Sequence, residues 1–173
     1  MVRPSAALVT VPPVPEGYRL RGLAAGEEPL YAELFQRVFD DPGRLPEMAH
    51  KTLPGGCVVV EHLASRRLAA SCRAYRARGS QRHRDAGQLA WLLVDPDHRK
   101  KGLGTLVAAT VTNRLVAEYR RRFLRTEDSR IPAISLYLRL AWEPNAATPE
   151  MRERWKRIFS ALGRDFSREA KVP

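Results

Sequence analysis

Apolar and polar residues follow each other along this chain in two alternating periods. In Gly17-Tyr18-Arg19-Leu20-Arg21-Gly22-Leu23 the period is two, with Tyr18, Leu20 and Gly22 on one side, which predicts a first strand. From Glu27 to Phe39 it changes: Leu30, Tyr31, Leu34, Phe35, Val38 and Phe39 recur at three and four, the spacing of one helical face, and Asp40-Asp41-Pro42-Gly43 ends the run. Residues 42 to 56 hold three prolines and three glycines, so a loop with at most one short helix at Glu47 to Lys51 is expected there. The β-branched run Cys57 to Val60 and the alternating run Leu68 to Ala77, joined through Ala64-Ser65-Arg66, predict an antiparallel hairpin. A basic turn from Arg78 to Gly87 leads into a further apolar strand, Leu89 to Val94.

After Gly104 the helical period returns, with Leu106, Val107, Thr110, Val111, Leu115, Val116 and Tyr119 in register. Arg120-Arg121-Arg122 suits the negative end of that helix, and Phe123 to Thr126 reads as a returning strand. Strand, helix and strand in that order imply a right-handed parallel crossover. A shorter helix spans Ile131 to Ala141. A last one starts at Thr148 as N-cap with Pro149 in first position, buries Met151, Trp155, Ile158, Phe159 and Leu162, and stops at Gly163. Residues 1 to 15 lack a period and read as a loose arm, residues 16 to 163 as one domain, and residues 164 to 173 as a frayed tail.

Length and composition narrow the class. With 173 residues, 44% of them hydrophobic, the chain makes one domain with a true core. Thirty Lys and Arg against nineteen Asp and Glu leave a net charge of +11, which raises the question of a polyanionic partner. The seven arginines from Arg66 to Arg84 are the best candidate for that role, although charged guarding of a hairpin edge explains them more cheaply. Cys57 and Cys72 lie in strand-like runs and read as buried thiols, and the four histidines show no ligand spacing with them, so no metal site is expected. Ala6 to Val11 is too short for a signal or membrane segment, which points to a cytoplasmic protein without membrane attachment.

The chemistry is concentrated between Gln88 and Thr105. A strand ends at Asp95-Pro96-Asp97, a loop carries Arg99, Lys100 and Lys101, and Gly102 and Gly104 lead into the long helix. The first turn of a helix leaves amides unpaired and carries partial positive charge, glycines let an anion approach the backbone, and the three cations add full charge. A pyrophosphate is the natural guest. The run is not a Walker loop, since Gly-Lys-Ser/Thr is absent, and Val107 stands where Gly-x-Gly-x-x-Gly would need its third glycine.

Arg99-Lys100-Lys101-Gly102-Leu103-Gly104 resembles the Arg/Gln-x-x-Gly-x-Gly/Ala signature of the GNAT superfamily of N-acetyltransferases. A second stretch, Ala133-Ile134-Ser135-Leu136-Tyr137 followed by Leu140-Ala141-Trp142-Glu143-Pro144, is similar to the superfamily's Ala-Ile-x-Leu-Tyr-x-x-x-Gly-Phe segment. The resemblance implies an α/β (α+β) fold with a mixed, mostly antiparallel central sheet, helices on both faces, and here a C-terminal helix in place of the usual last strand or hairpin. It implies transfer of an acetyl group from acetyl-coenzyme A to a primary amine of a small molecule or peptide, by direct attack in a ternary complex. The backbone at Leu92, Leu93 and Val94 would then meet the pantetheine arm, and Arg99, Lys100, Lys101, Gly102, Leu103, Gly104 and Thr105 the pyrophosphate. Tyr137 would be the general acid toward the departing thiolate.

The general base is open between Glu127, Asp128 and Glu61, because Arg125 stands where ribosomal-protein N-terminal acetyltransferases place a glutamate. Two further departures are Arg130, in place of the usual Asn, and Ala141-Trp142, in place of Gly-Phe. A coenzyme-A-binding regulatory module without catalysis, and a nucleic-acid binder built on the arginine hairpin, are the alternative readings. Trp155 and Phe159 on the last helix would either close the pocket or meet a second subunit in a homodimer.

Overall fold

In a computed structural model, residues 1–39, 50–77 and 85–169 are described. Five strands, β1 (Tyr18–Gly22), β2 (Thr52–His62), β3 (Arg67–Arg76), β4 (Ala86–Val94) and β5 (Arg121–Leu124), lie side by side in chain order. The first four pair antiparallel, while β4 and β5 run parallel because α2 (Leu103–Glu118) crosses over between them. The other helices are α1 (Glu28–Phe39), α3 (Ile131–Arg139), α4 (Pro149–Ala161) and the single-turn α5 (Phe166–Glu169). This is the mixed, mostly antiparallel sheet that the sequence predicts.

The period of two in the strands sorts side chains between two apolar layers. Val58, Val60, Cys72 and Ala74 face α2, α3 and α4, whereas Cys57, Val59 and Tyr75 face Tyr31, Leu34 and Phe35 of α1. Arg37 at the end of α1 holds Asp95 at 2.8 Å and Asp97 at 2.7 Å, so α1 also fixes the turn that follows β4.

Several boundaries differ from expectation. β2 begins at Thr52 rather than Cys57, because Thr52 already pairs with Tyr75 and the Pro54-Gly55-Gly56 stretch is absorbed in a register break before Cys57. The helix expected at Glu47 to Lys51 lies mostly outside the described residues; His50 and Lys51 form a turn. β5 starts two residues early, since Arg121 and Arg122 pair with Ala86 and Gly87 instead of trailing the preceding helix. Arg122 is buried there and donates to the carbonyls of Arg3 and Pro4.

The expected loose arm is pinned. The Met1 amine donates to the Leu124 carbonyl at 2.9 Å, Val2 bridges Phe123 and Glu143, and Val9 exchanges two 2.8 Å hydrogen bonds with the Asn113 amide. A two-residue bridge leaves no period in the sequence, which is why the arm looked unstructured. At the other end, the expected fraying does not begin at residue 164: α5 places Phe166 edge-on against Phe159 at 5.2 Å and buries it. Trp155 and Phe159 are likewise buried in this chain's own core, so they are not available to a second subunit.

Candidate functional site

The site forms where the parallel pair comes apart. The β4–β5 ladder ends at Leu89 opposite Leu124, yet β4 runs on to Val94 while the chain after Leu124 turns away. Just past that point β4 carries one residue too many. Ser71 pairs with Leu93 and Arg73 with Ala90, so the single residue Cys72 faces both Trp91 and Leu92. Trp91 takes a left-handed backbone, φ 52°, unusual for a bulky side chain. The bulge interrupts the ladder and leaves backbone polar groups of β4 outside it.

A cavity of about 690 Å³ opens into this split. One wall is Ala90, Trp91 and Leu92 of β4; another is Arg125, Thr126 and Glu127, which follow β5; Ala133 and Tyr137 of α3 form the floor, and Phe35 and Phe39 of α1 the far side. Tyr137 is buried, and burial pushes its phenol pKa up, so the group is a protonated donor throughout the physiological range.

Of the three carboxylates considered as base, one is here. Glu127 lines the cavity, bound to Arg130 at 3.1 Å, while the Arg130 guanidinium lies 4.7 Å from the Phe39 ring centre. Asp128 points elsewhere, clasped by Arg154 beside a separate depression that includes Met1 and Trp155. Glu61 is at the opposite side of the sheet. It is buried under Arg19, Arg21 and Arg66, and hydrogen bonds from Arg19 and Arg21 drive its pKa down to about 2. Glu61 is structural, and the base candidates reduce to Glu127.

The second half of the site lies beyond the far end of β4. Asp95 caps a 3-10 turn, Pro96–His98, by accepting from the Asp97 amide, and the Asp95 amide itself donates to Ala69. His98 is tied to the Tyr18 hydroxyl at 2.8 Å and Lys101 reaches the same hydroxyl at 3.1 Å, so β1 steadies the loop. Arg99 and Lys100 are exposed. Lys100 and Gly102 both adopt left-handed backbone, φ 61° and 78°, which turns the chain sharply into α2. No side chain caps that helix.

A Cβ on Gly104 would come within 3.2 Å of Val94 and 3.4 Å of Leu136, so the glycine keeps the strand end, the α2 start and α3 in close contact. Leu103 is buried as the anchor of the first turn, with Gly104 and Thr105 partly exposed beside it. The ten residues from Leu92 to Thr105 singled out for cofactor binding thus occupy the C-terminal end of β4 and the loop and helix start after it. Within them Leu92 faces the cavity, Leu93 is buried beneath α1 and Val94 packs on Gly104.

Sequence reasoning missed the aromatic and basic lining. Phe35 and Phe39 were read only as the buried face of a helix, and nothing in the local pattern shows that Trp91 sits on a bulge. Arg125 and Arg130 were visible as departures from the family pattern, but not that they share one cavity. The departure Ala141-Trp142 turns out to be internal: Trp142 is buried and donates to Thr112 at 3.1 Å, outside the cavity lining. Ala141 there holds φ 58°, the conformation for which glycine is suited. The described arginines of the basic hairpin do not form one surface. Among its described arginines, Arg66 pairs with Glu61, Arg67 with Glu33, Arg73 is buried over the Tyr31 ring, and Arg76 donates to Tyr119; Arg78, Arg82 and Arg84 lie outside the described residues. Among the described residues no group of three or more His, Cys, Asp or Glu side chains is placed to hold a metal ion.

Solved structures of GCN5-related N-acetyltransferases share this fold. A GCN5-related N-acetyltransferase from Sphaerobacter thermophilus superposes with a TM-score of 0.64 at 18% identity over 80% of this chain and 45% of that one. A ribosomal-protein alanine N-acetyltransferase from Escherichia coli gives 0.57 at 20% over 71% and 76%, and glucosamine-6-phosphate N-acetyltransferase from Arabidopsis thaliana 0.53 at 17% over 70% and 91%. The chain therefore spans less than half of the Sphaerobacter protein. At these identities the likeness is one of fold. In sequence, residues 71–151 match the family model described as FR47-like protein, while no curated protein matches. The chain has the fold of the GCN5-related N-acetyltransferases and carries an FR47-like segment across just under half of its length.

Proposed function

We propose that the protein moves an acetyl group from acetyl-coenzyme A to a primary amine, directly and within a ternary complex. The observation that carries the reading is the position of Tyr137, a buried, protonated phenol in the cavity where β4 leaves β5, on the same strand whose far end meets the basic glycine loop. Acetyl-coenzyme A supplies an acyl group activated as a thioester. The uncapped amides at Leu103, Gly104 and Thr105, with Arg99, Lys100 and Lys101 around them, suit its pyrophosphate, and the edge of Leu92 to Val94 that β5 leaves unpaired suits its pantetheine. Tyr137 donates its proton to the thiolate as it leaves. Glu127 takes the proton that the attacking amine must lose.

Neither cysteine fits a covalent relay. Both are buried without a disulfide, and burial pushes both thiol pKa values up, away from the reactive thiolate. Among the described residues no helix is long and apolar enough to cross a membrane. The reading is tested by titrating acetyl-coenzyme A into the protein in a calorimeter and following thiol release across a panel of primary amines. Micromolar uptake with amine-dependent release is expected, and absence of uptake ends the proposal.

A further inference from the structure

The charges and rings around the acceptor side of the cavity narrow the kind of amine it takes. Among the described residues three cations line it, Lys51, Arg125 and Arg130, against one carboxylate, Glu127. Arg130 and Glu127 neutralise each other at 3.1 Å. Among the described residues neither Lys51 nor Arg125 has a carboxylate ion-pair partner; the Arg125 guanidinium lies 5.9 Å from the centre of the Phe123 ring, between this cavity and the neighbouring depression, which it also lines. Phe35, Phe39, Tyr75 and Trp91 give the lining an aromatic part, with Phe39 and Trp91 meeting edge to face at 5.9 Å, beside the polar Gln88 and Thr126.

We infer that the acceptor is a compact primary amine with an apolar or aromatic body and an oxyanion, a carboxylate or a phosphate, held by Arg125 and Lys51. This rests on the acetyl-transfer reading and names its substrate class. A guanidinium offers a planar pair of donors to such an oxyanion, and the partly desolvated wall strengthens the pairing. The aromatic rings take the body of the molecule. The same cations help the reaction in a second way. An ammonium brought near them is disfavoured relative to the neutral amine, and only the neutral amine has the lone pair that attacks. A polyamine, with several positive charges and no oxyanion, meets repulsion from both.

The test reads binding and turnover separately. Calorimetry on the protein loaded with coenzyme A compares two matched pairs, L-phenylalanine with phenethylamine and tyramine phosphate with tyramine, and adds spermidine. At least one oxyanion-bearing member is expected to bind about tenfold or more tightly than its neutral partner, and Arg125→Glu to abolish that preference with the thermal midpoint and coenzyme A affinity unchanged. The pair that shows the preference tells carboxylate from phosphate. Equal or weaker binding of both oxyanion members, tighter binding of spermidine, or no binding of any amine overturns the inference. With acetyl-coenzyme A in place of coenzyme A, thiol release with neutral amines preferred overturns the inference alone. A retained oxyanion preference without any thiol release overturns acetyl transfer, and the acceptor role with it.

Discussion

Glu61 and Glu127 show how differently two ends of one sheet treat the same side chain. At the β1–β2 edge the strands are paired along their length, and Glu61, its side chain only 2% exposed, is enclosed by three arginines. At the β4–β5 end the pairing stops after Leu89, and Glu127 stands 69% exposed at the rim of a cavity with one arginine. The first carboxylate is committed to holding strands together and has no room to exchange a proton with a ligand. The second is held loosely where a ligand can reach it. Closure of the ladder marks structure, and its interruption marks the place where chemistry is possible.

Breaking the split end should have the largest effects. Tyr137→Phe removes the hydroxyl and keeps the ring, so kcat is expected to fall about 10²-fold with KM nearly constant, read by steady-state thiol release. A change in KM alone would assign the residue to packing. Gly104→Asp puts a carboxylate in the first turn of α2, where it favours the helix and repels a pyrophosphate. Calorimetry should show acetyl-coenzyme A affinity reduced by about 30-fold or more, while circular dichroism keeps the native spectrum. Glu127→Gln should lower kcat about tenfold with coenzyme A affinity unchanged; an unchanged kcat would exclude it as the base.

The closed edge should answer in stability instead. Glu61→Gln leaves three arginines without their anion and is expected to cost about 2 kcal/mol in urea unfolding at pH 7, with activity per folded molecule intact. The sign follows from the lowered pKa. Folded Glu61 titrates near 2 against an ordinary 4.5, so the wild-type advantage over the variant is complete above about pH 4.5 and disappears as pH falls through about 2. An advantage that persists at pH 2 would contradict the cage. The smallest effect belongs to Ala141→Gly, which relieves a left-handed alanine and should stabilise the fold by about 0.5 kcal/mol in the same assay.

Where a segment repeats, its structure was legible from sequence. The apolar faces of α1, α2 and α4 and the alternation in β3 each repeat several times, and those elements lie within a few residues of where the pattern puts them. The loop from Arg99 to Gly104 was legible as the link from β4 into α2, because its turn residues are contiguous in the chain. What repeats once or not at all was hidden: the Val2 bridge, the break at Pro54-Gly55-Gly56, and the bulge at Trp91. The cavity belongs to this second group. Its lining comes from α1, β3, β4, the residues after β5, and α3, and only the register between strands brings Phe39, Trp91 and Arg125 to one place. Choosing among Glu61, Asp128 and Glu127 required the same long-range information, since all three are charged residues at strand ends in the linear text.

The strap of Met1 to Arg3 along β5 has a consequence for how the molecule meets its neighbours. An open outermost strand offers a row of amides and carbonyls on which a foreign strand can nucleate, and here Val2 and the Met1 amine already occupy several of those positions. The flank nearest the cavity is therefore sealed against intruding backbone, so the site can stay open to small ligands without the sheet beside it becoming a seed for aggregation.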